Sequence, residues 1–245
     1  MKPALIITHL PDRKSGLVHE VIEQAGYPIR ERNVFDGRAL PPIDQVGAIV
    51  SLGGKMSATR VDEDEYLTAE VSLLQSAIAN RVPTLGICLG AQLLAVAAGG
   101  DVVKMPRVYV GWPALAPTEA AGDDRVFGDV SAGTHVLKWH EDRIEPPPSA
   151  AVLATTASPG AALFRIGPAA WGSQMHIEVT PEMLLQTWLA DPHEVAEIES
   201  GGHQISDFRR ESANRLPAQM DELRPALARF ASLATEPTAD RAGVA

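Results

Sequence analysis

Short apolar runs and amphipathic stripes alternate along the first part of the chain. A short apolar run without a helical period is typical of a strand covered on both faces, whereas apolar residues three and four positions apart indicate a helix. Gly26 and the pair Gly99-Gly100 stand where two of the stripes end, as expected for helix termini. The pattern predicts strands over residues 4–7, 29–35, 46–52 and 82–88, and helices over residues 16–25, 62–79 and 91–98.

The pattern changes after Asp101. Short strand-like pieces, separated by turns rich in proline and glycine, predict an antiparallel excursion and then a return to the main sheet. Thr180 and Pro181 have the residue types of an N-cap and of a first helical position, which predicts a helix to about Ala190. Residues 194–233 are expected to be helical and to pack on the outside. The strand-like pieces cover residues 102–103, 108–110, 135–139, 151–155, 163–166 and 170–175.

The succession of strand, helix, strand and helix predicts an α/β fold, with a doubly wound, mostly parallel sheet flanked by helices and a small antiparallel excursion. The chain has 245 residues, which is enough for one well-buried domain and does not require a second. We therefore expect a single domain over residues 1–235. Residues 236–245 are expected to form a frayed tail.

Charge and cysteine content limit the range of possible functions. The formal net charge of -10 argues against non-specific binding to nucleic acid or to anionic membranes, because the lysines and arginines that neutralise phosphates are too few. No apolar run approaches the roughly 20 residues of a membrane helix, and the first run is too short for a signal peptide, so a cytoplasmic location is expected. Cys88 is the only cysteine, which excludes an intramolecular disulfide and a cysteine-rich metal site. Neither a metal nor a cofactor is expected.

Cys88 stands between a predicted strand and a predicted helix, with Gly86 and Gly90 two residues away on either side. This is the spacing of a nucleophile elbow, with cysteine in place of serine. The strand can turn sharply into the helix only if the flanking positions carry no side chain that would clash. The N-terminal end of the helix would then face the sulfur and favour the reactive thiolate. A buried cysteine at a strand end is the plainer interpretation of the residue alone, but the strand, the paired glycines and the helix together favour the nucleophile.

Two further motifs supply what a cysteine nucleophile needs, a base with an orienting group and a site for the oxyanion. His176 and Glu178 end a strand-like run, and residues two apart on a strand face the same side. Gly53 and Gly54 follow a buried strand, so backbone N–H groups there, together with that of Leu89, are candidates for an oxyanion hole. Each motif alone is equally consistent with a plain alternative, a solvated strand end for the first and a tight turn for the second.

In this order, the three motifs resemble those of the class I, triad-type glutamine amidotransferases. That family has a Gly-Gly-Pro-type oxyanion loop, a Gly-x-Cys-x-Gly-x-Gln elbow and a His-Pro-Glu motif. The resemblance covers about residues 46–189, is greatest to free-standing members similar to the amidotransferase domain of GMP synthase, and implies a flavodoxin-like form of the predicted sheet. The corresponding segments are Gly53-Gly54-Lys55, Gly86-Ile87-Cys88-Leu89-Gly90-Ala91-Gln92 and His176-Ile177-Glu178.

The resemblance implies a role for each matching residue. Cys88 would attack the side-chain amide of glutamine. His176 would take the thiol proton and later protonate the leaving ammonia, and Glu178 would orient His176. The N–H groups of Gly54 and Leu89 would hold the oxyanion, and water would then hydrolyse the γ-glutamyl thioester to glutamate.

The resemblance also places four residues in the glutamine pocket, the last two of them on a loop: Gly53, Gln92, Trp139 and His140. Three residues depart from the family pattern, and none of them removes a chemical group from the triad. The departures leave the identity of the γ-glutamyl substrate open. They are Lys55 for proline after Gly-Gly, Ile177 for proline between His and Glu, and Met175 for a common aromatic residue.

Three functions remain open at this point. The first is a glutaminase or amidotransferase that passes ammonia to a partner, which would be a separate synthetase chain because no phosphate-cradling P-loop is present. The second is a self-contained hydrolase of γ-glutamyl peptides or γ-glutamyl amines that uses the same thioester. The third is a non-catalytic binding protein on the same fold. Retention of all the triad residues counts against the third.

Overall fold

The computed structural model describes residues 1–10 and 15–235. The predicted tail, residues 236–245, lies outside the described residues. The strands are β1 Ala4–His9, β2 Ile29–Asn33, β3 Ala48–Gly54, β4 Thr84–Ile87, β5 Asp101–Gly111, β6 Ala116–Pro117, β7 Lys138–Glu145, β8 Ala151–Thr155, β9 Leu163–Ile166 and β10 Ala170–Ser173. The α-helices are α1 Gly16–Gln24, α2 Glu65–Ala79, α3 Leu89–Ala97, α4 Pro192–Ser200 and α5 Ile205–Thr235.

Eight of these strands form one sheet, in the order β2-β1-β3-β4-β10-β9-β8-β6. The first five run parallel to one another, and β9, β8 and β6 continue the sheet through antiparallel pairs. Strands β5 and β7 pair antiparallel in a separate two-stranded sheet. The predicted α/β fold, with a mostly parallel sheet and a small antiparallel excursion, is confirmed.

Helices cover both faces of the parallel strands, which is why the sequence shows continuous apolar runs there. All six residues of β1 are buried. Ile6 packs in one apolar cluster with residues of α1 and α5, whereas Leu5 and Ile7 pack in another with residues of α2 and α3. Because helices cover both faces of the sheet, functional side chains can gather only beyond the ends of the strands. In sheets of this kind, ligands bind in the crevice outside the carboxyl ends.

The carboxyl ends of three neighbouring strands carry the three motifs. Gly53 and Gly54 end β3, Cys88 follows β4 directly, and His176 lies three residues after β10. Since β4 lies between β3 and β10 in the sheet, motifs that are far apart in sequence arrive at one edge of the fold.

The segment after Thr180 is helical as predicted, but it is not an α-helix. It is wound as a π-helix over Glu182–Thr187 and as a 3-10 helix over Trp188–Ala190. The hydroxyl oxygen of Thr180 accepts a hydrogen bond from the Met183 N–H at 3.3 Å, so the side chain caps the helix. The buried apolar residues of this segment fall in the pairs 183–184 and 188–189, a spacing that does not by itself distinguish π from α winding.

Two other predictions need correction. Residues 194–233 are not one helix but parts of α4 and α5, because Gly201 and Gly202 follow α4, with a φ of +92° at Gly202. Strand β7 pairs with β5 from Lys138 to Glu145, so Trp139 and His140 lie on a strand rather than on a loop. None of the helices described is both long and apolar enough to cross a membrane.

Candidate active site

Cys88 occupies a strained turn between β4 and α3. Its φ is 52° and its ψ is -106°, a backbone conformation that costs a non-glycine residue free energy and persists only where the surroundings enforce it. Here the backbone is held by two close contacts, one between Gly86 and Gly90 and one between Gly90 and Ser51. A Cβ atom on Gly86 would lie 2.6 Å from the carbonyl carbon of Gly90, and one on Gly90 would lie 2.5 Å from the carbonyl carbon of Ser51. Only glycine fits at both positions.

His176 and Glu178 form a buried pair beside Cys88. The imidazole Nδ1 lies 2.8 Å from Oε1 of Glu178, and the two side chains are 6% and 4% exposed. His176 Nε2 lies 3.2 Å from the carbonyl oxygen of Trp139, and Cys88 Sγ lies 3.7 Å from the same oxygen. The structure therefore brings all three predicted triad residues together, with a carboxylate at one ring nitrogen and the sulfur near the other.

The charge on His176 is set by competing effects. Burial lowers the pKa of the imidazole, but the negative charges of Glu178 and Cys88 and hydrogen bonds to both raise it, so that the pKa lies well above its ordinary value. This arrangement favours the protonated ring, which lies between a carboxylate and a sulfur. Trp188 covers the ring edge-on, with ring centroids 5.1 Å apart. Such a group can donate a proton to whatever binds against Cys88.

The glycine pair at the end of β3 packs closely against Cys88, His176 and Leu89. A Cβ atom on Gly53 would lie 3.3 Å from His176 Cε1 and 3.4 Å from Cys88 Cβ. A Cβ atom on Gly54 would lie 2.9 Å from a methyl carbon of Leu89, the first residue of α3. The two residues predicted to supply oxyanion N–H groups are thus neighbours, and one of them stands at a helix N-terminus, where free N–H groups favour an anion.

A cavity of about 300 Å³ opens beside Cys88 and His176. Gln92, Trp139 and His140 line it, so three of the four predicted pocket residues are brought to one place. Gly53 is not among the residues that line this cavity. It lies behind, beside a small void that Glu178 also lines.

One wall of the cavity is held by hydrogen bonds between α3, β7 and the loop after β3. Gln92 Nε2 donates to the carbonyl oxygen of Asp142 at 3.4 Å, and Ser57 donates to the carboxylate of Asp142 at 2.8 Å. His140 Nδ1 lies 2.9 Å from the same carbonyl oxygen. Burial and the charge of Lys138 lower the pKa of His140 to about 3. His140 is therefore neutral at neutral pH and shapes the wall without adding charge to it.

The opposite wall carries charges that the sequence did not indicate. Lys55, which stands where the family has proline, lies with its Nζ 3.3 Å from Oε1 of Glu194 on α4. Trp139 Nε1 donates to Glu197 at 2.9 Å. Both glutamates line the cavity. No local motif marks them, because α4 reaches the site only through the tertiary fold.

Two buried polar residues near the site were also missed. Gln219 on α5 accepts from the Leu137 N–H at 2.6 Å and donates to the His176 carbonyl oxygen at 3.0 Å. Lys138, which directly precedes Trp139 in the chain, is fully buried. A lysine inside the apolar run of residues 136–139 is a signal that sequence reasoning could have used, whereas Gln219 looks like any polar residue of a long helix.

Comparisons with known proteins agree with the fold and with the family that the motifs resemble. The family model described as glutamine amidotransferase class-I matches residues 41–193. A glutamine amidotransferase-like protein of Salmonella typhimurium is 31% identical over 180 residues, which cover 72% of this chain and 75% of that protein. GMP synthase of Thermomicrobium roseum is 35% identical over 162 residues, which cover 64% of this chain and 28% of the synthase. The crystal structure of a glutamine amido transferase from Methylobacillus flagellatus has a TM-score of 0.85 and 24% identity over 95% of both chains, which shows a shared fold.

Proposed function

Since this chain belongs to the class-I glutamine amidotransferase family, we propose that it hydrolyses the side-chain amide of glutamine through a thioester on Cys88. The observation that carries the proposal is the buried arrangement of Cys88, His176 and Glu178 at the edge of a cavity. The family supports an enzyme that acts on a glutamine amide. The residues that perform the reaction, and the reaction itself, are the proposal.

The first half of the proposed reaction forms the thioester. The Cys88 sulfur attacks the amide carbon, and the charge that develops on the carbonyl oxygen is held by the N–H groups of Gly54 and Leu89. His176, oriented by Glu178, gives its proton to the departing nitrogen. The carbon–nitrogen bond breaks and ammonia leaves, which is the reason an imidazolium next to the sulfur suits the step.

The second half returns the protein to its starting state. Water attacks the thioester carbon and gives a proton to His176, the carbon–sulfur bond breaks, and glutamate leaves with Cys88 again as a thiolate. Gln92, on the wall opposite α4, is proposed to contact the glutamyl part of the substrate, with Trp139 and His140 completing the pocket. Gly53 is proposed to act only by keeping space for Cys88 and His176.

The released ammonia is proposed to pass to a synthetase on a separate chain. Relatives named as glutamine-hydrolysing GMP synthase support this idea, and the match to the Thermomicrobium roseum enzyme covers only 28% of its length. The rest of that enzyme lies outside the matched region, so any synthetase activity would have to come from another chain.

A second candidate function is hydrolysis of a γ-glutamyl amine. The cavity wall formed by α4 carries Glu194 and Glu197. Lys55 already pairs with Glu194, whereas Glu197 is hydrogen-bonded to the neutral indole of Trp139, and its carboxylate would suit a departing group that bears a positive charge. Glutamine itself releases only ammonia and has no such group. The two candidates share the thioester and differ only in the molecule that leaves.

One assay tests the nucleophile and the substrate together. The purified protein is offered glutamine and a series of γ-glutamyl amines, and glutamate and the released amine are measured. We expect Cys88→Ala to abolish turnover while the circular dichroism spectrum stays unchanged, because the thioester cannot form. Turnover that survives in this variant would rule out Cys88 as the nucleophile. Hydrolysis of γ-glutamyl amines without hydrolysis of glutamine would favour the second candidate.

A further inference from the structure

Glu70 is a fully buried carboxylate on α2 that the proposed reaction does not use. Its two oxygens have different partners. Oε1 accepts a hydrogen bond from the Ser51 hydroxyl at 2.6 Å, and Oε2 lies 2.7 Å from Nε2 of His9. These three residues, which we call the Glu70 cluster, come from α2, β3 and β1 and are all buried. One carboxylate therefore joins three elements near the carboxyl ends of the strands.

The Glu70 cluster spans an irregular point in the pairing of β1 with β3. Ile7 pairs with Ser51 and His9 pairs with Gly54, so that β3 advances three residues where β1 advances two. An extra residue of this kind disrupts the regular ladder of hydrogen bonds and bends the strand. Ser51 lies at one side of the irregularity and His9 at the other. The Glu70 carboxylate therefore holds the two strands together where their own ladder does not.

The Glu70 cluster also packs against the residues proposed to hold the oxyanion. A Cβ atom on Gly54 would lie 2.5 Å from His9 Cβ and 2.9 Å from a methyl carbon of Leu89. A Cβ atom on Gly90, the residue after Leu89, would collide with the Ser51 hydroxyl oxygen. The backbone of Gly54 thus packs against His9, and the first turn of α3 packs against Ser51.

Stability alone does not explain the Glu70 cluster. Nδ1 of His9 is buried and has no hydrogen-bond partner among the residues that the structure describes, and a buried polar atom left unpaired lowers stability. Replacement of a whole buried polar cluster by apolar side chains of similar volume is often neutral or stabilising. The geometry that the cluster enforces is the better explanation.

We propose that Glu70 is a positioning residue of the oxyanion hole. Through its hydrogen bonds to Ser51 and His9, it keeps the N–H groups of Gly54 and Leu89 directed at one oxygen. Glu70 is not among the residues that line the cavity, so it acts through the backbone that it holds. The inference rests on the proposed roles of Cys88 and of these two N–H groups. A displaced donor slows only the steps that build charge on a carbonyl oxygen.

The test compares two reactions of Cys88, in the wild type and in Glu70→Leu. With p-nitrophenyl acetate, the sulfur adds to a carbonyl carbon, charge builds on the oxygen, and p-nitrophenolate leaves as the acetyl thioester forms. With iodoacetamide, the sulfur displaces iodide and no oxyanion forms. Cys88 is the only cysteine, so mass spectrometry of the peptide that contains it follows both products. Both reactions need the same thiolate, so the ratio of their rate constants reports on the oxyanion hole.

We expect the ratio of acetylation to alkylation to fall about tenfold in Glu70→Leu, while the alkylation rate stays near that of the wild type. Glu70→Gln should restore the ratio, because its amide can accept from Ser51 and donate to His9. An unchanged ratio in Glu70→Leu overturns the proposal. So does a ratio in Glu70→Gln as low as that in Glu70→Leu, because the hydrogen bonds would then not be what positions the donors.

Should Glu70→Leu fail to fold, Ser51→Ala tests the same point. It removes one of the two hydrogen bonds and only a hydroxyl group, so the ratio should fall about threefold. The wild-type ratio in Ser51→Ala would then overturn the proposal.

Asp124→Leu is the matched control for lost stability. Asp124 is also a buried carboxylate, but its side-chain partners are Arg165 on β9 and Trp171 on β10. Its removal should destabilise the fold without disturbing the pairing of β1 with β3, so the ratio should equal that of the wild type. A fall as large as that in Glu70→Leu would show a general effect of lost stability and would contradict the proposal.

The same experiment separates this inference from the proposed function, because neither reagent is a γ-glutamyl compound. If the wild type hydrolyses no γ-glutamyl amide while the ratios still differ, the proposed function fails and the role of Glu70 stands. If the wild type hydrolyses glutamine and the ratios coincide, the proposed function stands and the role of Glu70 fails.

Discussion

At the scale of single residues, the pair formed by His176 and Glu178 links the chemistry of the site to the stability of the fold. The carboxylate lies 2.8 Å from the ring nitrogen, and it raises the pKa of His176 against the lowering effect of burial. A group whose pKa is raised by folding stabilises the folded state fully at pH values below its unfolded pKa. That contribution is lost as the pH rises through the raised pKa of the folded state.

Glu178→Gln is therefore expected to reduce both stability and activity. The amide keeps the shape and one acceptor oxygen but removes the charge, so the free energy of unfolding should fall by about 1–3 kcal/mol near pH 6. The difference should narrow at alkaline pH, where the imidazole of the wild-type protein is neutral. Urea unfolding over this pH range measures it, and kcat/KM for any substrate that the wild type hydrolyses should fall by at least about 100-fold.

The control for this variant is Glu199→Gln, which removes an exposed carboxylate from α4. Its unfolding free energy should follow the wild type at every pH, since an exposed charge contributes little. A constant difference between Glu178→Gln and the wild type from acidic to alkaline pH would show that the ion pair does not set the charge of His176.

The paired glycines were sufficient to find the turn at Cys88, whereas the His-x-Glu spacing of His176 and Glu178 is by itself equally consistent with a solvated strand end. The structure places these two residues in a turn after the end of β10, so the alternation of a strand is not what brings their side chains together. Glu194 and Glu197 were not found, because they reach the cavity only through the packing of α4. Contacts of that kind cannot be read from spacing along the chain.

At the scale of elements, the site depends on how closely α3 packs against the end of β3. The first turn of α3 approaches the Ser51 backbone so closely that Gly90 has no room for a side chain. The same contact sets the distance between Cys88, at the start of the helix, and the glycine pair at the end of the strand. The packing of two elements therefore fixes the geometry of the nucleophile.

Gly90→Ala is expected to lower the free energy of unfolding by about 3 kcal/mol, because overpacking against backbone forces α3 away from β3. Urea unfolding gives the value, and alkylation of Cys88 should slow at the same time. Gly122→Ala is the control, since the added Cβ would meet only the Glu119 carbonyl oxygen at 3.7 Å, an ordinary contact. Equal stabilities of the two variants would contradict the packing argument.

Secondary structure was predicted correctly for strands that are buried on both faces. It was predicted wrongly where the spacing of apolar residues is consistent with more than one kind of helix. The apolar runs of the parallel strands indicated β1, β3 and β4 because both of their faces are covered. The segment Glu182–Thr187 was predicted as part of an ordinary helix, but its apolar pairs are five residues apart and the observed winding is π. Pattern alone does not distinguish these windings, since both bury one side of the segment.

At the scale of the whole molecule, helix α5 packs on the outside of the sheet and contributes one side chain, Gln219, that supports the site. Helix α5 packs against α1 in the apolar core, and its Gln219 is 1% exposed. The side chain of Gln219 joins the backbone of Leu137, just before β7, to the backbone of His176, just after β10. This amide adds two hydrogen bonds to the direct one from the His176 N–H to the Leu137 carbonyl oxygen at 2.8 Å, and so reinforces the contact between the segments that carry the Trp139 carbonyl oxygen and the base.

Gln219→Leu should leave two backbone groups without partners and cost about 2–4 kcal/mol of unfolding free energy. The kcat of the protein should fall as well, because the backbone of His176 keeps its bond to Leu137 but loses the one to Gln219. Gln75→Leu, an exposed position on α2, is the control and should change stability by no more than about 0.5 kcal/mol. The result that would count against the anchor is a Gln219 variant as stable and as active as this control.

The anchor at Gln219 also has a consequence for the order of synthesis. It lies 43 residues after His176 and 82 after Leu137 along the chain, and a ribosome delivers the chain from its N-terminal end. A nascent chain therefore contains Cys88, His176 and Glu178 before it contains Gln219. The two hydrogen bonds from Gln219 to the backbone of Leu137 and His176 can form only after α5 has been synthesised.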